Sequence, residues 1–252
     1  MSSFNDNLKN IKLKDLVIFI IASFLVLYIL GKFNGLINEK WLYVVILFYF
    51  VFRLKDYLND FKQDLSNVLS KIQLNYILII VFANIFFSYG MLYLSNEILV
   101  HFQSLNFSVG FYAPLMSLSV FGAFISAVVI SPIAEELIFR GVLLNRLKLV
   151  TPTIFAILIS SLIFGAIHGF GSIISAFVFA ICMAILYLKT ENICVPILAH
   201  FLNNLFAEII SFADYNNLLF TNNIVMSIIS IAAIASAIFL LSSIIKELNK
   251  IK

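Results

Sequence analysis

The sequence predicts an all-α fold: a polytopic integral membrane bundle of about eight transmembrane helices, with one amphipathic helix lying on the cytoplasmic interface. Three observations carry this. The chain is 62% hydrophobic and 12% charged, with a mean hydropathy of +1.07, whereas soluble domains are about 45–50% apolar and roughly 25% charged. Uncharged stretches of about 20 residues recur, which is the length that crosses roughly 30 Å of hydrocarbon as helix. The alternating strands of an outer-membrane barrel are not seen, and an open sheet cannot satisfy its backbone hydrogen bonds in lipid.

Uncharged runs place spans near residues 16–31, 36–52, 76–95, 112–133, 151–168, 171–188, 193–213 and 222–245. The first follows Lys9, Lys12 and Lys14 and ends in Gly31-Lys32-Phe33-Asn34 without a small-residue cleavage site, so it reads as a span that also directs insertion. In the second, Asn38, Glu39 and Lys40 leave only Trp41 to Phe52 free of charge. With the N-terminus inside, fourteen of the sixteen Lys and Arg fall on cytoplasmic segments and only Lys32 and Lys40 lie outside. The positive-inside rule therefore predicts a multi-pass cell-membrane protein with both termini cytoplasmic.

Residues 53–75 differ in kind. Leu54, Tyr57, Leu58, Phe61, Leu65, Val68, Leu69 and Ile72 recur at helical spacing, opposite Lys55, Asp56, Asp60, Lys62 and Asp64. That pattern predicts an amphipathic helix whose apolar stripe lies in the headgroup boundary or against the bundle. Cys182 and Cys194 sit in or beside apolar spans with no CxxC spacing, so neither a disulfide framework nor a thiolate metal site is indicated. The net charge of +3 sets orientation and requires no nucleic acid; the partner it implies is membrane lipid. The chain reads as one integrated membrane domain: N-terminal helices with the interfacial segment over 1–110, a polar core over 111–213, and a last span with its tail over 214–252.

Ionisable side chains at bilayer depth are costly and mark candidate functional sites. Glu135 and Glu136 follow Ser131-Pro132, which reads as a helix start with Ser at the cap and Pro in the first turn. Arg140 stands four residues after Glu136, the order that favours an ion pair on one helical face. Glu135 is rotated away from that face and is free for another partner. His168 ends the apolar run 154–167, and His200 and Asn204 are four apart on a helix beginning near Pro196. Each piece also has a structural reading: a charged membrane exit for the glutamates, a hydrogen-bonded core residue for each histidine.

These spans put Glu135 near the cytoplasmic end of one helix and His168 near the outer end of the next. A shared site then requires a helix broken at Ser131-Pro132, with the segment from Glu135 re-entering the bundle. Glu135, His168, His200 and Asn204 supply parts for hydrolysis: a carboxylate base, an imidazole to share the proton, and neutral donors for an oxyanion. A carboxylate in apolar surroundings is disfavoured in its charged form, which suits a general base. Carboxylate and imidazole also suit a divalent metal such as zinc, and residue type alone does not separate the two mechanisms.

The run from Ser131 through Glu135-Glu136-Leu137-Ile138-Phe139-Arg140 to Gly141, with FxxxH ending at His168 and HxxxN from His200 to Asn204, resembles the CPBP or Abi family of intramembrane proteases. These are relatives of the type II CAAX prenyl endopeptidase and include bacteriocin-processing and self-immunity proteins. The resemblance covers roughly residues 120–212 and implies that Glu135 with His168 activates water. It implies that His200 and Asn204 stabilise the oxyanion while Glu136 and Arg140 hold the first helix. The family is labelled metalloprotease and also described as glutamate-dependent, so either no cofactor or a divalent metal is implied. Glu208, four residues past Asn204, is an extra carboxylate at the outer end of its span.

The function expected from this resemblance is endoproteolysis of a membrane-associated peptide or protein, such as a signalling or bacteriocin precursor. The alternatives are a non-catalytic membrane regulatory or immunity protein of the same fold, or a transporter. Other intramembrane protease signatures, HExxH, GxGD and Gly-x-Ser-Gly, do not occur. Nor does the sequence show the repeated halves that a transporter places around its site.

Overall fold

The computed structural model describes residues 3–33, 37, 41–101 and 120–250. Within them every element is helical: α1 Ser3–Asn10, α2 Leu13–Phe33, α3 Leu42–Leu54, α4 Leu58–Ser66, α5 Val68–Lys71 and α6 Leu74–His101. After the segment 102–119 come α7 Phe121–Leu147, α8 Thr153–Ala166, α9 Ile173–Thr190, α10 Cys194–Ala213, α11 Leu218–Thr221 and α12 Asn223–Leu248. The expected start of the fourth span, 112–119, lies outside the described residues, as do Asn38, Glu39 and Lys40.

Among the described residues, six helices are long and apolar enough to cross a membrane: α2, α6, α7, α9 with its preceding turn, α10 and α12. The remaining two expected spans are present as the shorter apolar helices α3, of 13 residues, and α8, of 14. At about 1.5 Å per residue each is roughly 20 Å long, short of the hydrocarbon thickness. The expectation of about eight crossings thus becomes six long helices and two short ones.

The centre of the bundle is α9, where Ala180, Ile181, Cys182, Met183, Ala184, Ile185, Leu186 and Tyr187 are consecutively buried. It packs against α6, α7, α8, α10 and α12. α6 and α12 cross closely because Gly90 faces Ala233: a Cβ on Gly90 would lie 2.5 Å from that of Ala233. Small residues at such crossings let backbones approach where lipid offers no hydrophobic drive. Asn222 caps α12 by accepting from the backbone N–H of Ile224 and Val225.

The helix break expected at Ser131-Pro132 does not occur. Ser131 is helical (φ −61°, ψ −50°) and α7 continues through it to Leu147. The reason is a change of register: Ser126–Ile130 and Leu137–Leu144 are π-helical turns on either side of the proline. Such turns widen the ladder and accommodate a residue without an N–H. The span expected to end at 133 therefore runs on, and Glu135 falls near its middle. Arg140 likewise lies inside the span rather than on a cytoplasmic segment, so it leaves the tally of loop charges.

The interfacial segment is broken into a 3₁₀ turn at Lys55–Tyr57, then α4 and α5. Its apolar stripe divides: Leu54 and Val68 are buried, while Leu65 and Leu69 are exposed. The short helix α1, which no apolar run announced, fills the space between this segment and the bundle. Phe4 packs on Phe61 with ring centroids 4.9 Å apart, and Leu8, fully buried, lies against Gly141 of α7.

Candidate active site

α7 carries two side-chain bridges, each spanning one turn. Ser131 Oγ donates to Glu135 Oε1, and Arg140 Nη1 donates to Glu136 Oε1 at 2.9 Å. Glu135, Glu136 and Arg140 are 6%, 0% and 2% exposed. A buried pair needs its remaining donors satisfied; here Arg140 Nη2 donates to Ala180 O of α9 at 3.0 Å. The guanidinium also lies over the ring of Phe164, 4.8 Å from its centroid.

α10 brings His200 between the two glutamates. Its Nδ1 donates to Glu136 Oε1 at 2.8 Å, and its Nε2 lies 3.8 Å from Glu135 Oε2. The first is a hydrogen bond; the second is too long for one. Phe179 and Phe164 box the imidazole, with ring centroids at 4.9 and 6.0 Å. One turn on, Asn204 Nδ2 donates to Ala127 O of α7 at 2.9 Å, and Asn203 Nδ2 donates to Asn204 Oδ1 at 3.3 Å.

His168 is half-buried, just past the end of α8. A carbonyl can only accept, so its 2.7 Å bond to Phe164 O makes Nδ1 the donor and leaves Nε2 with the lone pair in the neutral ring. The ring lies tilted against Phe164, with centroids 4.7 Å apart. His168 is joined to neither carboxylate by a hydrogen bond or ion pair; Phe164 is what links it to Arg140 and His200.

Five of the six candidate residues thus belong to two packed helices, Glu135, Glu136 and Arg140 on α7 and His200 and Asn204 on α10. Helix α8 presents the sixth, His168, through an aromatic wall. Glu136 serves His200 as well as Arg140, and Glu135 takes the Ser131 hydroxyl as its partner. Sequence reasoning missed Phe164 and Ser131, although both stood within the quoted motifs, as the first position of FxxxH and four residues before Glu135. Glu208 is exposed and stands apart from this buried set.

Among the described residues, no three His, Cys, Asp or Glu side chains are arranged to hold a metal ion. Glu135 and His200 together offer one carboxylate oxygen and one ring nitrogen; Glu136 gives Oε1 to Arg140 and His200, and its Oε2 is buried without a hydrogen-bond partner among the described residues but is not grouped with two further ligands. A catalytic zinc takes three protein ligands, so the residues present do not fit such a centre and no step is derived through one.

Fold and site together define a polytopic helical membrane protein with a buried Glu-Glu-Arg-His centre. Residues 117–206 match the family model described as Type II CAAX prenyl endopeptidase Rce1-like. The protein named "Putative membrane peptidase YdiL" of Bacillus subtilis (strain 168) is 37% identical over 92 residues, which are 36% of this chain and 38% of that one. The chain therefore spans well under half of that relative. No solved structure matches significantly. Through this segment the chain is similar to type II CAAX prenyl endopeptidases and to a putative membrane peptidase.

Proposed function

We propose that the chain is an intramembrane endopeptidase that hydrolyses a peptide bond of a membrane-associated peptide or protein. One observation carries the reading: an imidazole is held between two adjacent carboxylates of a single membrane-spanning helix, where isolated charges are costly. Glu136 and Arg140 brace His200 from one side, which leaves Glu135 and His200 Nε2 facing each other across 3.8 Å.

In this reading Glu135 takes a proton from the attacking water, with His168 Nε2 as the second acceptor. That proton then passes to the leaving amine. His200 stabilises the tetrahedral oxyanion with its second ring nitrogen protonated. Asn204 contributes the amide hydrogen not used on Ala127 O. The substrate enters from the bilayer, and a secreted signalling or bacteriocin precursor fits that route.

The test is a comparison of membrane proteomes from cells carrying the parent protein, Glu135→Gln or His168→Ala at equal abundance. An uncleaved precursor accumulating in both variants supports the reading and identifies the substrate. Unchanged new N-termini in both would overturn it and favour a binding-only protein of the same fold.

A further inference from the structure

Pro132 has no N–H, and the register of α7 decides which carbonyl loses its donor. Ser131 N–H bonds to Ser126 O, five residues back. In the same register the next donor, for Ala127 O, would come from residue 132. The proline therefore leaves Ala127 O without a backbone partner inside a membrane-spanning helix, where unsatisfied carbonyls cost several kcal/mol. Asn204 Nδ2 of α10 supplies the missing hydrogen bond at 2.9 Å.

We infer that Asn204 is a positioning residue for Glu135, its amide standing in for the N–H that Pro132 lacks. The bond pins the wide turn of α7 to the helix that carries His200. From that turn Ser131 reaches forward to Glu135 through its hydroxyl. Glu135 and His200 are thereby kept at one depth and one separation by a side chain that reaches across from α10 to the α7 backbone. The inference adds to the oxyanion duty given to Asn204 above, and the importance of Glu135 rests on the protease reading.

The two ideas separate in one experiment on the full chain in detergent. Asn204→Ala is expected to lower the unfolding midpoint by about 3–8 °C. In a Pro132→Ala background, where residue 132 regains its N–H, the same substitution is expected to shift the midpoint by less than about 2 °C. Equal losses in the two backgrounds overturn the inference. In cells, Pro132→Ala is expected to recover part of the precursor cleavage lost in Asn204→Ala, the oxyanion amide still being absent, and none of that lost in His200→Ala; no recovery counts against the positioning role. If Asn204→Ala is too unstable to purify, Asn204→Ser makes the same comparison. Should Glu135→Gln leave proteolysis intact, the protease reading fails, and the unfolding cycle still decides the role of Asn204.

Discussion

Glu136→Gln removes one negative charge and keeps the side chain's shape, at a position with 0% exposure. Glu136 Oε1 receives Arg140 Nη1 at 2.9 Å and His200 Nδ1 at 2.8 Å. Breaking a buried pair leaves the other charge uncompensated at about 3–5 kcal/mol, and because Gln keeps a neutral acceptor the loss falls near 3 kcal/mol. For a chain of this size that lowers the melting midpoint by about 6–12 °C. Glu135→Gln is different. Its partner is the Ser131 hydroxyl, which an amide can still engage, and His200 Nε2 is 3.8 Å away. Its expected cost is about 1 kcal/mol, or less than about 4 °C, while cleavage is lost. Cys182 and Cys194 are both free and buried, so a fluorogenic maleimide that labels them on heating reads the midpoint without any substrate. A Glu136→Gln midpoint within about 2 °C of the parent would refute the division of labour, as would a Glu135→Gln midpoint that falls equally far.

Arg140→Lys keeps the charge but cannot hold Glu136, reach Ala180 O and cover Phe164 together; a loss of about 2 kcal/mol is expected in the same dye assay, and an unchanged midpoint would show that one contact suffices. Asn5→Ala removes the acceptor for Ile193 N–H, 3.1 Å away at the start of α10, and the donor to Asp64 Oδ2 at 2.8 Å. A cost of about 1–3 kcal/mol is expected, with faster amide exchange over residues 193–200. Exchange there at the parent rate would mean that α1 does not hold α10.

Much of this was legible in the chain. Long uncharged runs named the six long helices and the two short ones, because in lipid a helix must satisfy its own backbone and apolar length is nearly the whole requirement. The pairing of Glu136 with Arg140 followed from their spacing. What spacing could not show was register. Ser131-Pro132 carries the signals of a helix start, yet two π turns absorb the proline, and only the packed bundle selects that solution. Helix α1 was hidden for a related reason: eight residues do not form a helix alone, and contacts such as Leu8 on Gly141 and Asn5 on Ile193 join residues far apart in sequence. Phe164 looked like one apolar residue among many until its contacts with His168, His200 and the Arg140 guanidinium set it at the centre of the site.

The bond between Asn5 and Ile193 spans 188 residues of chain and fastens the helix that bears His200. At a synthesis rate of about 5–20 residues per second, Asn5 waits roughly 10–40 s after it is made before the N–H that donates to it exists. During that interval the glutamate helix is already present, but the histidine that completes the centre is not. The polar centre is therefore put together late, by a helix that must reach back to the first described turn of the chain.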